Sequence, residues 1–91
     1  MTLNDNLRIP GQVTTRQLGG ETILLNLETG TYFGLDAVGS RFPELLERDG
    51  EMAAVHRAML EEFDVAPEVL EADLLRLSEE MRAKGLLEAG S

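Results

Sequence analysis

The segment Glu21–Leu35 constrains this chain more than any other, because it contains two strand-forming runs joined by a turn too short for anything but a hairpin. Ile23, Leu24 and Leu25 have the β-branched and apolar character of one buried strand, and Tyr32, Phe33 and Leu35 supply the aromatic character of the next. Glu28-Thr29-Gly30 suits a loop in which two ordinary residues take right-handed conformations and Gly30 takes positive φ. Alternation places Phe33 and Leu35 on one face of the second strand and Tyr32 on the other, with Gly34 leaving room for a neighbouring backbone. Asp36-Ala37-Val38-Gly39 then reads as a helix start with Asp36 as N-cap.

Ninety-one residues support one domain, 1–91, with a small core; a chain of this size buries roughly 60 to 65% of its unfolded surface. The absence of cysteine removes disulfides, thiolate nucleophiles and cysteine metal sites. Met1–Asn6 is polar and reads as a loose, flexible segment; it lacks the basic and apolar regions of a signal peptide, so a cytoplasmic location is expected. No apolar run approaches the roughly 20 residues needed to span a bilayer. A formal charge of −9 opposes nucleic acid, anionic lipid and acidic substrates, and favours a neutral or basic partner.

Leu7–Pro10 and Val13–Leu18 are candidate strands, and Gly19-Gly20 separates the second from the hairpin, which predicts a three-stranded antiparallel sheet. A first helix is expected from Ala37 to about Arg48, with Gly50 just past its end. Pro43 lies inside it, lacks the N–H that would bond the Gly39 carbonyl, and therefore either kinks the helix or delays its start to near Ser40. The second helix spans about Glu51–Phe63, with Met52, Val55, Met59 and Phe63 as its core stripe. The third begins at Pro67, a favourable first helical position, and runs to Lys84 before Gly85. Its stripe is Leu70, Leu74, Leu77 and Met81, Leu75 points away from it, and Leu86 and Leu87 tuck back beneath.

The order Leu-Asn-Leu-Glu-Thr-Gly-Thr-Tyr-Phe-Gly-Leu-Asp-Ala-Val-Gly from Leu25 to Gly39 resembles the PqqD-like proteins, known more generally as RiPP recognition elements. Asp64–Leu75 and Lys84–Glu88 resemble that family's last helix and closing residues, so the resemblance covers about Val13–Glu88. It departs at Pro43, where the family commonly carries an aromatic residue. The resemblance implies an α+β, winged helix-turn-helix-like fold, a three-stranded antiparallel sheet packed on three helices. It also implies a cytoplasmic module, without cofactor, that binds the leaders of ribosomally made, post-translationally modified peptides.

The candidate site is the edge of the strand Tyr32, Phe33, Gly34 and Leu35, which could accept an extended peptide by strand addition. Pattern alone favours an ordinary protected edge, and the resemblance reverses that preference. Three or four backbone hydrogen bonds at about 1 kcal/mol net each do not offset an association cost of roughly 4 to 15 kcal/mol. Apolar anchors must contribute, and the third helix is the natural second wall, with Asp73, Leu74, Arg76, Leu77 and Glu80 along its middle. Asp73 matches the family's acidic position and could take a basic or hydroxyl-bearing side chain of the leader. His56 and Ser78 read as surface residues, Ser40 as a helix-start residue, and Gly19-Gly20 as a turn without a phosphate-loop context.

Three function classes compete. In the first, the chain binds a precursor's leader and delivers it to a modifying enzyme, with the lasso-peptide leader peptidase the nearest branch and a radical enzyme of pyrroloquinoline quinone maturation the alternative. The second is a winged-helix transcription regulator, which the acidic third helix opposes. The third, an enzyme, lacks a nucleophile–base pair or metal cluster.

Overall fold

The computed structural model describes residues 2–90; Met1, part of the segment expected to be loose, lies outside them. The chain runs β1 (Leu7–Arg8), β2 (Val13–Leu18), β3 (Glu21–Asn26), β4 (Tyr32–Leu35), α1 (Arg41–Asp49), α2 (Met52–Glu62), α3 (Pro67–Ala83) and β5 (Glu88–Ala89). β2, β3 and β4 form the expected three-stranded antiparallel sheet in that order, with Ile23 opposite Gly34 and Leu24 opposite Phe33. β1 and β5 form a separate antiparallel pair, Leu7 with Ala89 and Arg8 with Glu88. That pair was not foreseen, and it leaves Ile9 and Pro10 outside any strand.

Gly30 closes the hairpin at φ 76° and donates to the Asn26 carbonyl at 2.8 Å. The run Ile23-Leu24-Leu25 divides by alternation rather than being buried throughout. Leu24 is wholly buried beneath the sheet, whereas Ile23 and Leu25 are half-buried beside exposed Tyr32 on the outer face.

Of the two outcomes expected of Pro43, the delayed start holds: α1 begins at Arg41 after Ser40, not at Ala37. Pro43 thus sits in the first turn, where its missing donor costs nothing, and the Gly39 carbonyl it cannot serve accepts from the Phe42 amide at 3.1 Å. Asp36 caps the preceding turn instead, its Oδ1 accepting from the Gly39 amide at 2.8 Å. Gly50 ends α1 at φ 73° with its amide on the Leu46 carbonyl.

α3 starts at Pro67 and ends in a Schellman motif. The Leu86 amide reaches the Met81 carbonyl at 2.8 Å, the Gly85 amide reaches Arg82 at 3.1 Å, and Gly85 takes φ 73°. Leu86 and Leu87 are buried against the core, as expected.

Two polar residues expected on the surface are inside. His56 is buried with Nε2 donating to the Pro67 carbonyl at 2.9 Å, which ties α2 to the start of α3. Ser78 is fully buried, so the α3 core stripe is Leu70, Leu74, Ser78 and Met81, while Leu75 and Leu77 are half-buried on either side. The buried apolar core joins Leu70, Leu74, Met81, Leu86 and Leu87 to Leu7, Val13, Leu24, Leu35, Phe42, Leu45, Leu46, Met52, Val55 and Met59. Arg41 fastens α1 to α2 through Glu62 at 2.7 Å.

Candidate peptide-binding groove

β4 lies at the end of the sheet with β3 on one side only. Its register decides which backbone groups are spare. The Asn26 amide donates to Thr31 at 2.9 Å, so that pair is a hydrogen-bonded one, and antiparallel alternation makes Phe33 and Leu35 the next bonded positions, opposite Leu24 and Thr22. The N–H and C=O groups of Tyr32 and Gly34 therefore face outward, two donors and two acceptors on an open edge. Gly34 adds no obstacle, since a Cβ there would meet nothing within 4 Å.

The edge borders a groove of about 620 Å³ whose far wall is α3. Phe33, Gly34 and Leu35 form one side, and Leu70, Asp73, Leu74, Arg76, Leu77 and Glu80 the other. All the sequence-predicted site residues except Tyr32 line it. The Tyr32 side chain is 71% exposed on the outer face of the sheet, and only its backbone addresses the edge. Asp36, Val38, Gly39, Met59 and Leu70 also line the groove and were not named as site residues. Val38 was legible as an apolar residue in a turn and is 47% exposed. Met59 and Leu70 were assigned to the core, and they serve the core and the groove floor together.

Apolar and charged groups are segregated in this groove. Leu70, Leu74, Met59 and Leu35 make an apolar floor, and Asp73 and Arg76 pair with each other at 3.2 Å on the exposed rim. Lys84 lies with its ammonium 6.0 Å from the centre of the Phe33 ring, which bridges the two walls at the start of β4. No group of acidic, histidine or cysteine side chains able to hold a metal occurs among the described residues. The arrangement is suited to holding an extended chain, with backbone bonds on one side and apolar pockets on the other.

A family model described as coenzyme PQQ synthesis protein D (PqqD) matches residues 21–87. The chain belongs to the PqqD family. The match takes in β3, β4 and all three helices, hence both walls of the groove. Among solved structures, this PqqD-family chain is similar to TbiB1 in complex with the TbiA(beta) leader peptide, at 38% identity over 92% of this chain and 98% of that one, with a TM-score of 0.84. A lasso peptide synthetase B1 complexed with the leader peptide shares the fold at 19% identity, covering 91% of this chain and 98% of that one with a TM-score of 0.80. No curated protein matches the chain significantly.

Proposed function

We propose that this protein binds the leader region of a ribosomally synthesised precursor peptide and holds it for a modifying enzyme. The leader adds as a strand to β4 at Tyr32 and Gly34, and its inward side chains enter the groove against Leu70, Leu74 and Leu77. The observation that carries this reading is the coincidence of outward backbone groups with an apolar wall across one groove. The leader complexes formed by the structural relatives support it. The enzyme that fits best is a lasso-peptide leader peptidase, working in the cytoplasm. The chain itself supplies no chemistry; tethering the leader raises the local concentration of the distant core peptide at the enzyme.

The test is calorimetric titration with the synthetic leader of the precursor encoded beside this protein, without any enzyme. The expected dissociation constant lies in the nanomolar to micromolar range, roughly −8 to −12 kcal/mol. Absence of binding to every leader encoded nearby would overturn the reading.

A further inference from the structure

Asn26, the last residue of β3, is a polar side chain only 3% exposed. Its Oδ1 accepts from the Glu28 amide at 2.9 Å and the Thr29 amide at 3.2 Å, which shapes the hairpin loop. Its Nδ2 donates to the Gly85 carbonyl at 2.9 Å, 59 residues away in sequence. Gly85 follows Lys84, the cap of α3, and the loop leads through Thr31 into Tyr32. One side chain therefore joins the beginning of one groove wall to the end of the other.

The turn alone does not explain the choice of residue. An aspartate accepts the two loop amides as well as asparagine does, but a carboxylate cannot donate to a carbonyl. It would also place negative charge against the negative end of α3. Gly85 is constrained from the opposite side: it holds φ 73°, and a Cβ there would lie 3.0 Å from Asn26 Nδ2.

We propose that Asn26 is a positioning residue for the groove, setting the separation of β4 and α3 at the Tyr32–Lys84 end through the Gly85 carbonyl. This rests on the leader-binding reading above. A groove held open at a fixed width spares the leader the cost of ordering its own site. Losing the clasp should therefore weaken binding beyond what lost stability explains.

The experiment compares wild type, Asn26→Asp, Gly85→Ala and the double variant in titrations with the same synthetic leader. Asn26→Asp should bind about tenfold more weakly, while its Glu28 and Thr29 amides stay protected from hydrogen exchange and the Lys84–Leu86 amides lose protection. Leu46→Ala, which hollows the core on α1 away from the groove, should lower stability and leave affinity unchanged. If Asn26→Asp does not fold, Gly85→Ala tests the same clasp from the helix side and should show a comparable loss. In a foldable set the two losses should be less than additive, because each breaks the same link. Wild-type affinity in Asn26→Asp, or in Gly85→Ala where only that variant folds, would overturn the positioning role while leaving the leader-binding reading intact. So would strictly additive losses, or a loss in Leu46→Ala as large as that in Asn26→Asp. Failure of wild type to bind would overturn both.

Discussion

The sheet β2–β3–β4 has two open edges, and each faces a helix across a cleft. At β4 the cleft is about 620 Å³ and is floored by Leu35, Met59, Leu70 and Leu74. At β2 it is about 310 Å³ and is lined by Thr15, Gln17, Thr22, Pro43, Glu44 and Glu47. The same alternation that frees Tyr32 and Gly34 also turns the backbone of Thr15 and Gln17 outward, so spare donors and acceptors exist on both sides. The side chains differ. Gln17 donates to Glu44 at 2.6 Å across the β2 cleft, tying its walls together through polar side chains. Both edges offer backbone, and only the β4 edge faces an apolar wall.

The largest expected contrast comes from proline on each edge. Gly34→Pro removes an outward donor and fixes φ near −65°. It should weaken leader binding by about ten- to hundredfold, the cost of a lost bond and an unsatisfied partner. Thr15→Pro on the opposite edge should leave affinity unchanged, and an equal loss there would break the distinction between the edges. Hydrogen exchange sharpens the same point. The Tyr32 and Gly34 amides should gain protection on adding leader, whereas Phe33 and Leu35, already bonded to β3, should change little. Protection appearing on α2 around Val55–Met59 would place the partner on another face.

Truncating the apolar wall should have the next largest effect. Leu77 is half-buried at the groove, so Leu77→Ala should cost about tenfold in affinity, at the low end of 1.5 to 3 kcal/mol for one apolar anchor, with a modest loss of stability. Leu74 is 3% exposed, and Leu74→Ala should cost stability heavily as well. Pro43→Trp alters the β2 cleft and the start of α1. Chemical denaturation should show lower stability, because Pro43 is buried, and leader affinity should shift by less than about tenfold.

The smallest effect is electrostatic and lies away from the β4 groove, although Arg41 also pairs with Glu44 of the β2 cleft. Hydrogen bonding from Arg41 holds the Glu62 carboxyl below the ordinary carboxylate range, opposed by a smaller desolvation contribution. A depressed folded-state pKa stabilises the fold above the unfolded value, about 4.3, and that contribution is lost as pH falls from there through the folded value. Glu62→Gln should accordingly flatten the acid side of the stability profile slightly and leave leader binding unchanged.

Much of the architecture was legible because single residues announce it: Gly30 in the hairpin, Pro67 at the start of α3, and Gly50 and Gly85 after helices. The misses share a different cause. His56 and Ser78 look like surface residues because nothing near them in sequence shows what they meet; His56 is accommodated by a carbonyl on another helix and Ser78 by the Met52 thioether, with Oγ to Sδ at 4.0 Å. β5 is two residues long and forms only by meeting β1 from the far end of the chain, which no local propensity encodes. The α3 wall was found by its helical spacing, but the choice between Leu77 and Ser78 as the buried member turned on a rotation of one residue. Asn26 carries a local signal too, as a turn former ahead of a tight loop, but its bond to the Gly85 carbonyl, 59 residues away, does not show in the local sequence.

Only alternate residues of β4 offer their backbone, so the edge acts as a ruler graduated in steps of two. A leader displaced by one residue can keep its hydrogen bonds only by turning its other face to the groove, whereas one displaced by two keeps both its bonds and its face. In the proposed mode of binding, the strand would thus dictate the phase of an incoming peptide but not its position along the groove. Position has to be written in the pockets of α3. A new leader specificity could therefore be installed by rewriting residues such as Asp73, Arg76 and Leu77 while β4 is left untouched.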